Sequence, residues 1–249
     1  MKNIALIFAG GVGSRMNAVV PKQFLEISNK PIIIHTIERF EVNPKIDDIY
    51  IGCIKSYVPE LKKMLERFSV TKVKMVYPGG DSGQDTIYKG LVEIKKNEED
   101  AIVLIHDGVR PLIEQETIDN CIRDANKYGS AVTVTPAFET PIISKDGKNV
   151  EEMPPRKMVY TAQAPQCFKL NEVLSWHEKE RKEEGVKAYD SIVDTCGLAV
   201  KNCVKPHLTE GNRGNVKVTT YNDYLTLIAN NLSNDIERFL LIKERNRKE

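Results

Sequence analysis

The feature that most constrains this chain of 249 residues is a regular alternation of short apolar segments with longer amphipathic ones. The apolar segments have the length of buried strands, whereas the amphipathic segments repeat their apolar residues at helical spacing. This alternation predicts an α/β fold, with a mostly parallel sheet, helices on both faces and right-handed crossovers. The predicted strands are 3–8, 48–54, 73–77, 101–105 and 130–135, and the predicted helices are 59–68, 86–96, 115–128, 170–183, 221–232 and one opening at Pro31.

The alternation is interrupted between residues 138 and 160, where two β-prone stretches flank the turn sequence KDGK at 145–148. This pattern predicts a protruding β-arm, which cannot bury its own apolar face and would pack on a second subunit. We therefore expect a single domain over residues 1–232 that carries the arm, followed by a charged tail at 233–249.

Composition disfavours several functional classes. Lys plus Arg number 36 and Asp plus Glu number 35, a balance that argues against a general nucleic-acid-binding protein. No apolar run reaches the roughly 18 residues of a membrane span, and the first apolar segment is too short for a signal peptide. The five cysteines and four histidines show no CxxC or metal-ligand spacing. We expect a cytoplasmic protein that has no membrane or nucleic-acid partner.

The first predicted strand leads into the glycine-rich sequence FAGGVGSRM at 8–16, followed by PKQ at 21–23. It is neither a Walker loop, because no GK[ST] follows, nor the dinucleotide fingerprint, because Met16 occupies the third glycine position. Backbone N–H groups of such a turn can approach phosphate oxygens, and Arg15 and Lys22 add charge. The sequence suits a triphosphate attacked at its α-phosphorus. The alternative is a glycine turn with two surface cations.

Two more segments follow predicted strands. GGDSGQDT at 79–86 could wrap a nucleobase or simply cap a helix. In HDGVRP at 106–111, Asp107 could bind sugar hydroxyls or a metal and Arg110 a phosphate, the alternative being a local ion pair. His106 is expected to be a structural hydrogen-bonding residue.

The segment NVKVTT at 215–220 predicts a short strand that opens a helix capped by Thr220. Within it, Lys217 could bury its stem and present its ammonium to a ligand, or could be a solvated surface lysine. Arg156 lies where the predicted arm returns to the body of the protein.

Taken in order, the segments AGGVGSRM, PKQF, GGDSGQDT, HDGVRP, ET, PR, APQ and NVKVTT resemble the family of 2-C-methyl-D-erythritol 4-phosphate and ribitol-5-phosphate cytidylyltransferases, from residue 3 to about 232. The resemblance implies a Rossmann-like core, an arm-exchanged homodimer, CTP and a polyol phosphate as substrates, and Mg²⁺ or another divalent cation. The catalytic cations would be Arg15, Lys22, Arg156 and Lys217. The CTP-binding residues would be Phe8, Ala9, Gly10, Gly11, Gly13, Gly80, Asp81, Ser82, Gly83, Gln84, Asp85 and Thr86. The acceptor-binding residues would be Asp107, Arg110 and Thr140, and no residue is assigned to the metal.

Because Thr140 and Arg156 lie on the predicted arm, the partner subunit is expected to complete each site. Four positions depart from the family pattern, mainly on the acceptor side: Gly83 replaces Arg, Ala164 and Val193 each replace Thr, and Glu139 replaces Asp.

The acceptor is expected to be a straight-chain alditol phosphate, ribitol 5-phosphate first, whose CDP-ribitol product would serve as a precursor of cell-wall or capsule polymers. The sequence ETPI at 139–142 lacks the lysine that tends to follow the threonine in methylerythritol enzymes. The AGG form of the first loop and Cys196, two residues after Asp194, are also more similar to the ribitol enzymes. The alternative acceptor is 2-C-methyl-D-erythritol 4-phosphate, for isoprenoid precursors.

Two other functions are weighed against this one. A hexose-1-phosphate nucleotidylyltransferase would share the cationic first loop, but HDGVRP, NVKVTT and the arm favour the cytidylyltransferase. A nucleotide-binding module that has lost catalysis would lack a first-loop cation, whereas Arg15 and Lys22 are both present.

Overall fold

The computed structural model describes residues 1–11, 20–183, 189 and 192–230. The strands are β1 (Lys2–Ala9), β2 (Glu26–Ile27), β3 (Lys30–Pro31), β4 (Asp48–Cys53), β5 (Val73–Pro78), β6 (Ala101–Asp107), β7 (Ser130–Pro136), β8 (Tyr160–Lys169) and β9 (Leu208–Glu210). The helices are α1 (Ile32–Glu41), α2 (Val58–Arg67), α3 (Gly83–Lys95), α4 (Gln115–Tyr128), α5 (Leu170–Glu183) and α6 (Thr195–Lys201), and residues 221–230 are also helical.

Seven of the strands form one sheet in the order β5-β4-β1-β6-β8-β7-β9. The pairs β5–β4, β4–β1, β1–β6 and β7–β9 are parallel, whereas β8 runs antiparallel to both of its neighbours. The predicted mostly parallel α/β sheet is therefore confirmed. The chain leaves β1 for β4 on one side and later returns to β6 on the other. The connections thus diverge between β1 and β6, where open α/β sheets bind their ligands at the carboxyl ends of the strands.

Helices cover both faces of the sheet, as predicted, because successive side chains of a strand point to opposite faces. On β1, Ala5 and Ile7 belong to the core cluster that includes α1, α2 and α4. Ile4 and Leu6 belong to the opposite cluster, which includes α3, α5 and α6. None of the helices in the described ranges is long and apolar enough to cross a membrane.

The segment predicted as a strand at 215–219 is not one. A backbone hydrogen bond, from Val218 N to Val109 O at 3.0 Å, ties it to the loop after β6. Val218 is buried in a small apolar cluster with Ile32 and Leu227, so side-chain burial holds the segment instead of strand pairing. The predicted cap does form, since Thr220 Oγ1 accepts a hydrogen bond from Asp223 N at 3.3 Å.

The arm between β7 and β8 has less regular structure than the pattern predicts. An isolated antiparallel bridge joins Ile143 to Glu152, and the turn beyond it is closed by the Asp146 carboxylate, which accepts hydrogen bonds from the backbone N–H groups of Lys148 and Asn149. Five apolar side chains of the arm are more than half exposed: Phe138, Ile142, Val150, Met153 and Met158.

Candidate active site

The glycine-rich loop follows β1, and the buried side-chain amide of Gln23 holds its first residues in place. Gln23 Nε2 donates hydrogen bonds to Ala9 O at 2.7 Å and to Gly11 O at 3.1 Å. This contact places the neighbouring Lys22 at the same cavity as the first glycines. Gly13 and Arg15 lie outside the described residues.

The second loop, residues 79–86, packs closely against the first. Gly80 N donates to Thr86 Oγ1 at 2.9 Å, and that hydroxyl donates in turn to Ser82 O at 2.9 Å. A Cβ on Gly10 would lie 2.8 Å from Thr86 Oγ1, and one on Gly80 would lie 1.9 Å from a carboxylate oxygen of Asp85. Glycine at these two positions is therefore what allows the loops to meet.

The helix-cap alternative for this second loop is also present in the structure. Ser82 Oγ accepts a hydrogen bond from Asp85 N at 3.0 Å, so α3 begins at Gly83, three residues before the predicted start. The cap shapes the end of the loop and leaves residues 80–83 facing the cavity between the two loops.

Two cavities of about 310 Å³ each open at this edge of the sheet. We call them cavity A, between the two loops, and cavity B, beside the ends of β6 and β8. Cavity A is lined by residues 8–11, 22–23 and 80–83. Cavity B is lined by Gln84, Arg110, Gln163, Ala164, Asp194 and Thr195, among others. The cavities share Phe8, Gly83, Asp107 and Lys217.

Asp107 lies at the junction of the two cavities, at the carboxyl end of β6. Its Oδ1 is 2.5 Å from Lys217 Nζ, and its Oδ2 accepts a hydrogen bond from Arg110 Nε at 2.8 Å. Burial tends to raise the pKa of Asp107, but the charges of Lys217 and Arg110 outweigh it and hold that pKa below its ordinary value. The local ion pair considered as an alternative is present, and a lysine from a distant segment extends it.

Lys217 reaches this junction because its segment is anchored on both sides. Val218 is bonded to Val109 as described above, and Asn215 Nδ2 donates to Ala164 O at 2.8 Å. Arg110 Nη1 donates to Asn215 O at 2.7 Å, so the segment is also held by the guanidinium that pairs with Asp107. The Lys217 side chain is 40% exposed and lines both cavities, so a ligand in either cavity can contact it while its ammonium pairs with Asp107.

His106 is structural, as the sequence suggested. It is fully buried, and its Nε2 lies 3.1 Å from Arg110 O. Burial lowers its pKa to about 4, so the ring is neutral at pH 7.

Several residues expected in the site line neither cavity. Asp85 and Thr86 lie behind the second loop, where their side chains bond within the protein. Thr140 and Arg156 are exposed on the arm, and Arg156 Nη1 donates to Phe138 O at 3.4 Å. The structure of one chain therefore does not bring these two arm residues to the cavities.

Sequence reasoning missed Asn215, Gln23 and Arg181 as individual residues. The first two lie inside segments that the sequence singles out, but their role as anchors depends on carbonyl groups distant in sequence. Arg181, which pairs with Asp85 at 2.8 Å, lies in a run of charged residues on α5 where nothing in the pattern distinguishes it.

Comparisons with known proteins agree with this architecture. The family model described as "IspD: 2-C-methyl-D-erythritol 4-phosphate cytidylyltransferase" matches residues 3–231. A ribitol-5-phosphate cytidylyltransferase of Vibrio parahaemolyticus is 42% identical over 91% of this chain and 94% of its own length. A 2-C-methyl-D-erythritol 4-phosphate cytidylyltransferase of Clostridium botulinum is 36% identical over 90% of this chain and 95% of its own length.

The fold is also that of a solved structure. The crystal structure of 4-diphosphocytidyl-2C-methyl-D-erythritol synthase from Anaerococcus prevotii superposes with a TM-score of 0.78, covering 92% of this chain and 95% of that chain at 24% identity. Fold and family together make the chain a nucleotidyltransferase. More narrowly, it belongs to the IspD family and is a CTP-dependent cytidylyltransferase. The family match argues against the hexose-1-phosphate and non-catalytic alternatives.

Substituting Asp107→Asn tests the charge cluster. We expect the free energy of unfolding to fall by about 1–3 kcal/mol at pH 7, because Lys217 and Arg110 lose their shared counter-charge while solvent still screens the exposed part of Lys217. Urea denaturation of both proteins measures the difference.

The pH dependence of that difference has a defined sign. The pKa of Asp107 is lower in the folded state, so its contribution is fully present above the ordinary carboxyl pKa of about 3.9 and is lost as the pH falls through the folded value. The difference between wild type and Asp107→Asn should be constant from about pH 8 to 5 and shrink below about pH 4. A difference that grows on acidification would contradict the assignment.

Proposed function

We propose that the protein transfers the cytidylyl group of CTP to D-ribitol 5-phosphate, giving CDP-ribitol and pyrophosphate. The observation that carries this proposal is the meeting of cavities A and B at Asp107 and Lys217. Two substrates that occupy the two cavities would have their reacting phosphates at that junction.

Cavity A suits CTP. Backbone N–H groups of the glycine-rich loop can bind phosphate oxygens, and Lys22 lines the same cavity. Residues 80–83 form the opposite wall, where backbone groups can read the edge of a nucleobase. The close approach of the two loops leaves room for a pyrimidine, so we expect CTP to be preferred over ATP and GTP.

The chemistry in this arrangement is a direct in-line displacement. A phosphate oxygen of the acceptor forms a bond to the α-phosphorus of CTP, the bond from that phosphorus to the oxygen bridging to the β-phosphate breaks, and pyrophosphate leaves with the electron pair. The acceptor phosphate has a second pKa of about 6, so it is largely a dianion at neutral pH and needs no general base. Lys22, Lys217 and, from the resemblance, Arg15 would stabilise the negative charge of the transition state.

A divalent cation fits as a companion of the nucleotide. Among the described residues, no three His, Cys, Asp or Glu side chains are grouped to hold a metal ion. Mg²⁺ commonly binds through one or two carboxylates together with substrate phosphates, and Asp107 is the buried carboxylate shared by both cavities. Asp107 would hold such an ion together with the phosphates of CTP, and the ion would supply positive charge that offsets part of the triphosphate charge.

The choice of acceptor rests on relatives and on cavity B. The relatives described as ribitol-5-phosphate cytidylyltransferases from Vibrio parahaemolyticus and Streptococcus agalactiae are 42% and 41% identical, against 36% for the methylerythritol enzyme of Clostridium botulinum. Cavity B also contains Gln163, Asp194 and Thr195, whose polar groups can pair with hydroxyls of an alditol.

The arm suggests a homodimer. Five of its apolar side chains are more than half exposed in the single chain, although the Arg213 guanidinium lies over the ring of Phe138, and Thr140 and Arg156 lie away from the cavities. A partner subunit that covers the arm could bring these residues to its own cavity B, where Arg156 would add a cation for the acceptor phosphate.

The acceptor assignment is tested by measuring pyrophosphate release from CTP with each acceptor under one set of conditions. We expect kcat/KM for D-ribitol 5-phosphate to exceed that for 2-C-methyl-D-erythritol 4-phosphate by at least about tenfold, because a site that pairs a hydroxyl rejects the analogue lacking it. A tenfold preference in the other direction would assign the methylerythritol reaction instead.

Substituting Lys22→Ala tests the cation at cavity A. We expect kcat to fall by about 10²–10³-fold with little change in melting temperature, as for the loss of one preorganised transition-state donor. Lys62→Ala, at an exposed position of α2, is the matched control. Near-normal kcat in well-folded Lys22→Ala would remove Lys22 from the mechanism.

Mixed dimers test the shared site. Arg156→Ala and Lys217→Ala, each poorly active alone, should recover about a quarter of wild-type activity when co-refolded, because half of the dimers are mixed and one of their two sites is intact. The control pair, Lys22→Ala with Lys217→Ala, should recover nothing, since both residues serve the same cavities of one subunit. Equal recovery in both mixtures, or none in either, would contradict the shared site.

A further inference from the structure

The second loop is braced from behind by a carboxylate that lines neither cavity. Asp85 Oδ2 accepts a hydrogen bond from Asp81 N at 3.3 Å and lies 2.9 Å from Lys89 Nζ. Its Oδ1 accepts a hydrogen bond from Arg181 Nη1 at 2.8 Å. Because Asp81 belongs to the wall of cavity A, the direction in which the Asp85 carboxylate points bears directly on the shape of that wall.

Arg181 holds this carboxylate from a fixed direction. Its guanidinium carbon lies 4.4 Å from the centre of the Tyr88 ring and 5.0 Å from that of Tyr189, so the planar group is stacked against two aromatic rings. The side chain is 24% exposed, whereas that of Lys89 is 44% exposed. The stacked guanidinium therefore orients Asp85 more firmly than a lysine on a flexible stem.

A second contact from the same side reaches the next residue of the loop. Tyr189 Oη donates a hydrogen bond to Gln84 O at 2.9 Å and lies 2.5 Å from Nδ1 of the buried His177. Burial lowers the pKa of His177 to about 3, so this ring is a neutral partner. The charges of Lys89 and Arg181 outweigh the effect of burial on Asp85 and keep its pKa below the ordinary value, so the carboxylate stays ionised at neutral pH.

We propose that Arg181 is a positioning residue for nucleotide recognition: through Asp85 it holds residues 80–83 in the shape that reads the cytosine edge. This inference rests on the proposed binding of CTP in cavity A. Arg181 lines neither cavity, so it acts on the fit of the base and not on the reacting phosphates.

The test compares Arg181→Met, which keeps an apolar stem against the rings but removes the charge, with wild type. We expect KM for CTP to rise about tenfold, the cost of one charge-assisted hydrogen bond, while kcat at saturation and KM for the acceptor stay within about twofold. The ratio of kcat/KM for CTP over UTP should also fall, which a loss of stability alone would not cause.

Three further variants separate the proposed role of Arg181 from a general effect of losing an arginine. Arg67→Met is the matched control, since Arg67 is exposed on α2 and its guanidinium lies 5.1 Å from the ring of Phe68. Arg181→Lys, which keeps the charge, should recover part of the CTP affinity. The double variant Arg181→Met with Asp85→Asn should raise KM for CTP no further than Arg181→Met does, because both changes break one chain of contacts.

The outcomes separate this inference from the proposed function. An unchanged KM for CTP and an unchanged CTP-to-UTP ratio in folded Arg181→Met would overturn the role of Arg181 while leaving the transferase proposal intact. So would equal effects in Arg181→Met and Arg67→Met. If wild type itself releases no pyrophosphate from CTP with any polyol phosphate, the proposed function fails first. If Arg181→Met does not fold, Arg181→Lys and Asp85→Asn are measured instead. Wild-type values of KM for CTP and of the CTP-to-UTP ratio in both of these variants would overturn the role of Arg181.

Discussion

The arrangement of this site depends on the buried carboxylate of Asp107. It lies at the end of a central strand, beside Phe8 of the neighbouring strand, and pairs with Arg110 from its own loop and Lys217 from a segment more than a hundred residues later. Without that negative charge, two cations would face each other at the junction of the cavities. With it, the late segment is held against the core, and the Lys217 side chain remains partly exposed where the two proposed substrates would meet.

Close packing of the two loops determines the shape of cavity A. The glycine-rich loop and the second loop approach so closely that a side chain on Gly10 or Gly80 would collide with Thr86 or Asp85. The same contacts that pack the loops therefore set the width of cavity A. The groups that brace the loops from behind therefore also shape the wall of cavity A, the proposed site for CTP.

Most of the sheet and its helices could be predicted from the sequence, because the spacing of apolar residues differs between buried strands and amphipathic helices. Burial of β1 and β6 on both faces makes them almost continuously apolar, and the loops that follow them carry the glycines and charges. The antiparallel β8 and the short β9 were not predicted, because their polar sequences become strands through pairing with partners distant in the chain. The segment at 215–219 was wrongly predicted to be a strand, because its alternating valines have strand spacing. In the structure, Val218 is buried against the loop after β6 and the segment pairs with none of the described strands.

Some of the candidate functional residues could be found from the sequence, and others only from the structure. Lys22, Asp107, Arg110 and Lys217 stand in recognisable segments, and the structure places them around two adjoining cavities. Arg181 could not be found in this way, since the role proposed for it rests on contacts with two aromatic rings and a carboxylate that lie elsewhere in the chain. The roles expected of Thr140 and Arg156 remain predictions that depend on a second subunit.

The central claim is that the two cavities serve one direct transfer, in which the acceptor phosphate attacks CTP. The most direct measurement uses D-ribitol 5-phosphate with isotopically labelled oxygen in its phosphate group and unlabelled CTP, followed by mass spectrometry of both products. Direct attack on the α-phosphorus predicts that all of the label is retained in CDP-ribitol and that the pyrophosphate is unlabelled. Label in the pyrophosphate, or its loss from CDP-ribitol, would contradict the account.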